Sequence, residues 1–150
     1  FLGIKKKNYT TSIGKQFLET SLTELKDIFK ENNQSYKIMH FIINKYSIDG
    51  VNYNSFENEI DGENMCVEVK FISIPNILMK EISHVLEKYQ IKVDRFFDRN
   101  YINNFSALDS LDLSIVASNL KNGQNHNEIV LVPKNPKIKG FFEKFFQLFS

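Results

Sequence analysis

At 150 residues the chain is long enough for one domain with a substantial core, and folding at this size buries about two-thirds of the unfolded chain's surface. Apolar residues make up 42% and charged residues 25%, which excludes wholesale disorder. The 19 basic and 18 acidic residues leave a net charge of +1, without the basic excess of a dedicated nucleic-acid binder, so no nucleic-acid partner is expected.

The only arginines, Arg95 and Arg99, offer little for bidentate phosphate or base recognition. A lone cysteine, Cys66, excludes an internal disulfide framework and fits a reducing, cytoplasmic compartment. No stretch reaches the ~18 apolar residues of a membrane span. Lys5-Lys6-Lys7 leads into polar Asn8-Tyr9-Thr10 rather than into the apolar region of a signal peptide. The chain opens at Phe1 without an initiator Met, which fits a piece of something longer.

In chain order, Leu2 to Lys7 reads as a short strand. Thr11-Ser12 is a helix start signal, and Phe17, Leu18, Leu22, Leu25, Ile28 and Phe29 fall on one helical face as far as Lys30, before Asn32-Asn33-Gln34. Tyr36 to Ile48 is rich in Ile, Phe and Tyr, as a long strand should be, and Asp49-Gly50 marks a turn. The stretch on to Asp61-Gly62 has turn chemistry and little periodicity. Met65 to Ser73 alternates cleanly, with Val67, Val69 and Phe71 on one side and Glu68, Lys70 and Ile72 on the other.

Pro75 suits a first helical turn. Leu78, Ile82, Val85 and Tyr89, joined by Ile77 and Leu86, form an apolar stripe opposite Lys80, Glu81, His84, Glu87 and Lys88, the pattern of an amphipathic helix lying on a sheet. Ile91 to Phe97 reads as a returning strand. Leu111 to Leu120 follows as a helix stopped by Gly123, then Glu128 to Val132 as a short strand. Pro133 and Pro136 with Lys134 and Lys137 form a linker, and Gly140 to Phe149 a last short helix.

The expected fold is therefore α+β: a two-layer strand-helix-strand-strand-helix-strand module with a C-terminal linker and short amphipathic helix. Its boundaries are an interaction module over 1–99, a helix-strand extension over 100–132, and the linker and helix over 133–150. Two helices should cover one face of an antiparallel-rich sheet, burying Val67, Val69, Phe71, Leu78, Ile82, Val85, Leu25 and Phe29 together.

Catalytic signatures are missing. The six glycines are scattered and assemble no phosphate-cradling loop or dinucleotide fingerprint. His40, His84 and His126 share no metal spacing with Cys66, and each has a plain reading: a strand residue, a polar helix face, an Asn-rich turn. Cys66 opens a strand with no nearby His or Lys to activate it, so an inert thiol is expected. Asp94 and Asp98 could lie near each other, but surface carboxylates are their default. No catalytic residue, cofactor or metal is expected, and no enzymatic turnover.

The C-terminal residues differ in kind. Phe141, Phe142, Phe145, Phe146, Leu148 and Phe149 share one broad face against Gly140, Glu143, Lys144 and Gln147. Lys134, Lys137, Lys139 and Lys144 supply charge suited to an anionic leaflet, at about 1 kcal/mol per basic residue near the surface. Membrane contact is expected through Lys139, Phe141, Phe142, Lys144, Phe145, Phe146, Leu148 and Phe149. Docking on the chain's own domain or in a partner's groove are the alternatives, which periodicity does not separate.

The middle of the chain is similar to a known family. Tyr46-Ser47-Ile48-Asp49-Gly50, then Ile60-Asp61-Gly62-Glu63-Asn64-Met65-Cys66-Val67-Glu68-Val69-Lys70-Phe71-Ile72, and later Tyr89-Gln90-Ile91-Lys92-Val93-Asp94, resemble the inserted α+β subdomain of FtsA, the actin-like bacterial cell-division protein. The order from Tyr36 to Phe97 follows that subdomain, and the C-terminal linker and amphipathic helix resemble the FtsA membrane tether. The Gly-rich nucleotide-binding lobes of that family have no counterpart here, so ATP binding does not carry over. What the resemblance implies is a non-enzymatic division adaptor, peripheral on the inner face of the cell membrane. It would bind other division proteins, or itself, through the α+β module and the inner membrane through its C-terminal helix. The alternatives are a soluble protein–protein interaction module whose C-terminal helix packs on its own fold, and a nucleotide-binding or enzymatic domain with an unrecognised site.

Overall fold

The computed structural model describes residues 1–10, 12–54, 59–105 and 112–129. In chain order they form β1 (Leu2–Lys7), β2 (Ser12–Gly14), α1 (Lys15–Asn32), β3 (Tyr36–Ile48), β4 (Val51–Asn52), β5 (Glu59–Asp61), β6 (Asn64–Pro75), α2 (Asn76–Glu87), α3 (Arg99–Asn103) and α4 (Leu113–Lys121). The fold is α+β. An antiparallel sheet runs in the order β1-β6-β3-β4, and β2 pairs with β5 in a second, two-stranded sheet. The predicted linker, the C-terminal helix over 140–149 and the end of the strand expected over 128–132 lie outside the described residues.

Two bulges set which side chains of β3 reach the core. The apolar residues Ile38, Phe41, Ile43, Tyr46 and Ile48 do not alternate strictly, so a regular strand would send some of them to the wrong face. The register against β6 shifts between Ile38 and His40 and again between Ile43 and Lys45. Each shift skips one residue and brings the next apolar side chain back to the same side. All five then meet Met65, Val67, Val69 and Phe71 of β6 and the α1 stripe Leu18, Leu22 and Leu25 in one core. Phe71 stacks between Phe41 and Phe29, at ring-centroid distances of 4.6 and 4.5 Å.

The turns explain the strand ends. Asp49 and Gly50 both hold positive φ, 47° and 84°, the twist that a two-residue hairpin between β3 and β4 needs. The helix expected from Thr11-Ser12 begins later, at Lys15, because Ser12–Gly14 extends to pair with Glu59–Asp61. That pairing orders one end of a stretch expected to be irregular, and Val51–Asn52 orders the other by pairing back on β3. Pro75 closes β6 and stands as the residue before α2, beside the first turn rather than within it.

The opposite face of the sheet holds a second core that sequence reasoning did not anticipate. Tyr101 and Ile102 of α3 and Val116 and Leu120 of α4 pack with Phe97 and Phe105 on Ile42 and Ile72. α4 lies close to its predicted bounds, and Gly123, at φ 93°, follows it as expected. Ile91 to Phe97 is not a strand. A strand returning from α2 does not pair beside β6, which is bordered on both sides by β1 and β3. The outer edge of β3 is occupied too, since Ile42 bridges Glu128, Ile43 N–H donates to Asn127 at 2.8 Å and Ile129 N–H donates to Phe41 at 2.7 Å.

Candidate interaction site

α2 departs furthest from the sequence expectation. Its stripe is real, but the described residues do not cover it. Leu78 is 45% exposed, Ile82 36%, Val85 52% and Tyr89, just beyond the helix, 74%. No residue of α2 is buried, and only Asn76, Met79, Ser83 and Leu86 are half-buried. The predicted joint core of Leu78, Ile82 and Val85 with Val67, Val69, Phe71, Leu25 and Phe29 therefore divides. Leu25, Val67 and Val69 are buried, Phe29 and Phe71 half-buried beside them, and the three α2 residues face solvent.

The reason is geometric. α1 already fills the face on which Val67 and Val69 lie, α3 and α4 take the face of Ile42 and Ile72, and α2 is left to project from the end of β6. Its root is fixed at the β3 end of the sheet, where Asn76 N–H donates to Ser35 at 2.8 Å and its side-chain amide to Gln34 at 2.9 Å. Exposed apolar side chains held together on a rigid helix usually mark an interaction surface.

A buried polar network joins the two halves of the chain. His40 and Glu128 are 1% and 4% exposed, with His40 Nδ1 2.8 Å from Glu128 Oε1. Asp98 N–H donates to His40 Nε2 at 3.1 Å, so that nitrogen carries a lone pair and the proton sits on Nδ1, directed at the carboxylate. Glu128 also accepts from Arg95 and, at 2.8 Å, from the Tyr101 hydroxyl. Asn125 donates to that hydroxyl at 2.8 Å. Burial, reinforced by the neighbouring carboxylate, pushes the Tyr101 hydroxyl well above its ordinary range and keeps it protonated. The Arg95 guanidinium lies over the Phe97 ring, 4.7 Å from its centroid. Each polar group here faces another protein group, the arrangement of a clamp holding residues 95–101 and 125–128 against β3. The sequence reading of His40 as an ordinary strand residue missed this, because its partner Glu128 lies far along the chain.

The other singled-out residues are dispersed. His84 and His126 are exposed, and Cys66 is half-buried in β6, between Lys5 of β1 and Ser47 of β3. Asp94 pairs with Lys121 at 2.5 Å, while Asp98 caps α3 through the Tyr101 N–H at 2.8 Å, so the two aspartates serve different elements. A 240 Å³ cavity lies between Leu18 and Tyr53, with Ile43, Lys45, Tyr46 and Asn127 on its walls. Burial raises the Tyr46 hydroxyl there above its ordinary range. Among the described residues no three His, Cys, Asp or Glu side chains converge as a metal ion would need, and no helix is long and apolar enough to cross a membrane.

The Ile48-Asp49-Gly50 and Ile60-Asp61-Gly62 turns meet at one corner. Asp49 accepts from the N–H groups of Glu63 and Asn64, each at 2.9 Å, and these bonds hold its carboxyl below the ordinary carboxylate range. Gly62 passes so close that an added Cβ would stand 2.2 Å from Ile48 Cγ2. The two Ile-Asp-Gly turns are thus one structural device that fixes the start of β6 beside the end of β3. The eight residues read as membrane-contacting, from Lys139 to Phe149, lie outside the described residues. Neither a protein-family model nor a curated protein matches the chain.

Proposed function

We propose that this chain is a non-enzymatic adaptor of bacterial cell division, similar in role to FtsA. It binds a protein partner through the α+β module and the inner-membrane surface through residues 139–149. The observation that carries the reading is the stripe Leu78, Ile82 and Val85 on α2, a helix rooted at Ser35, which the described residues leave uncovered. Apolar side chains at i, i+4 and i+7 are the anchors that helix-in-groove recognition uses. Support also comes from the strand-helix-strand-strand order β1-α1-β3-β6, in which the quoted FtsA-like turns join β3 to β6. The phenylalanines from Phe141 to Phe149 supply the membrane half of the reading from sequence.

The test is localisation in dividing bacteria. A fluorescent fusion of the chain should gather at the division site, and the Ile82→Glu/Val85→Glu variant should not, while both keep the same unfolding midpoint. A wild-type fusion that spreads evenly through the cell would sink the division reading. A variant that still gathers at the site would remove α2 from it.

A further inference from the structure

The uncovered stripe on α2 and the chain's C-terminal phenylalanines are two apolar surfaces on one molecule, and the backbone leads one toward the other. Glu128 bridges Ile42 in antiparallel sense, and the flanking bonds of Asn127 and Ile129 keep the same direction. The backbone direction at Ile129 points back toward Tyr36, the first residue of β3. Tyr36 is paired with Pro75, immediately before α2, and Asn76 is bonded to Ser35. The exit direction therefore points at the end of the sheet from which α2 projects.

The lengths also agree. From Ile42 back to Tyr36 the strand edge measures ~20 Å. The residues from Ile129 to Gly140 span at most ~36 Å, and α2 is ~18 Å long. Residues 140–149 can thus reach the helix and lie along it. A segment this short is a poor helix by itself, since isolated helices below ~12 residues are marginal in water. A neighbouring apolar surface on the same chain, at the millimolar effective concentration of a short linker, meets that need before a bilayer does.

We propose that residues 140–149 dock in cis on the Leu78, Ile82 and Val85 face of α2, so that the partner-binding face is occupied by the chain's own membrane-binding segment until a partner or a bilayer competes for one of them. This regulation rests on the adaptor reading, but the cis contact does not. It makes the two functional surfaces mutually exclusive in the resting protein. Release of either one exposes the other.

Amide hydrogen exchange of the 150-residue chain tests the contact directly. In Phe145→Glu/Phe146→Glu the amides of 82–89 should exchange about tenfold faster than in wild type, with β6 amides unchanged. If β6 also loses protection, Phe149→Glu provides the same readout with a smaller perturbation. Equal exchange over 82–89 in wild type and in the folded variant overturns the proposal. Protection that grows with protein concentration also overturns it, by assigning the face to a second copy of the chain.

Co-sedimentation with vesicles of phosphatidylethanolamine and phosphatidylglycerol tests the competition. Ile82→Glu/Val85→Glu should free the C-terminal segment and raise the bound fraction several-fold over wild type. A fall would place α2 itself on the bilayer and refute the cis contact. If no variant binds vesicles at all, the membrane half of the adaptor reading fails, while tail-dependent protection of α2 would still support the contact.

Discussion

α1 and α2 carry apolar stripes of similar regularity, yet Leu18, Leu22 and Leu25 are each 1% exposed while Val85 is 52% exposed. The difference does not come from the helices. It comes from what their neighbours leave free: α1 returns across the face presented by Val67, Val69 and Phe41, whereas both faces are already taken when α2 leaves β6. An amphipathic pattern states which side of a helix gains from being covered, and the arrangement of the whole chain decides whether anything covers it.

The contrast can be broken at its strongest point. Leu25→Ala should cost about 2–5 kcal/mol in urea unfolding, the range for a leucine removed from a packed core. Glu128→Ala tests the clamp that holds the second core in place. It leaves His40, Arg95 and the Tyr101 hydroxyl without their shared acceptor, and should cost about 3 kcal/mol. Exchange protection should fall across 95–105 before it falls in α1. An intact 95–105 segment in that variant would show that the apolar contacts of Phe97, Tyr101 and Ile102 suffice.

Gly62→Ala drives a methyl into Ile48, and the displaced side chain should cost about 1–3 kcal/mol by thermal or urea unfolding. Asp49 gives a pH signature. Its folded-state pKa lies below the ordinary value of 3.8, so its contribution is present above that value and is lost as pH falls through the lowered one. Asp49→Asn should flatten this acid limb of the stability curve, leaving the neutral region parallel to wild type. The smallest effect belongs to α2: Ile82, 36% exposed, should cost no more than about 1 kcal/mol as Ile82→Ser, well below a core leucine. A loss of several kcal/mol there would place Ile82 in a packed core rather than beneath a segment that can be displaced.

Local chemistry made much of the fold legible. The β-rich run from Tyr36 to Ile48, the Asp49-Gly50 turn, the alternation around Val67 and Val69 and the amphipathic stripe of α2 all appear where their residues place them, because each depends on neighbours within a few positions. The start of α1 was less legible. Ser12 looks like a cap, but Glu59–Asp61 pairs with Ser12–Gly14 and draws it into a strand.

The sequence by itself determined the α1 and β6 side of the first core, the strand-helix-strand-strand order and the existence of an apolar face on α2. The tertiary structure alone decided that the described residues leave this face uncovered, that Ile91 to Phe97 forms no strand, and that His40 lies against Glu128. Those outcomes depend on competition among distant segments for a limited number of faces and edges. Periodicity records a segment's need for a partner, and the sheet, with two faces and few free edges, determines which segments obtain one.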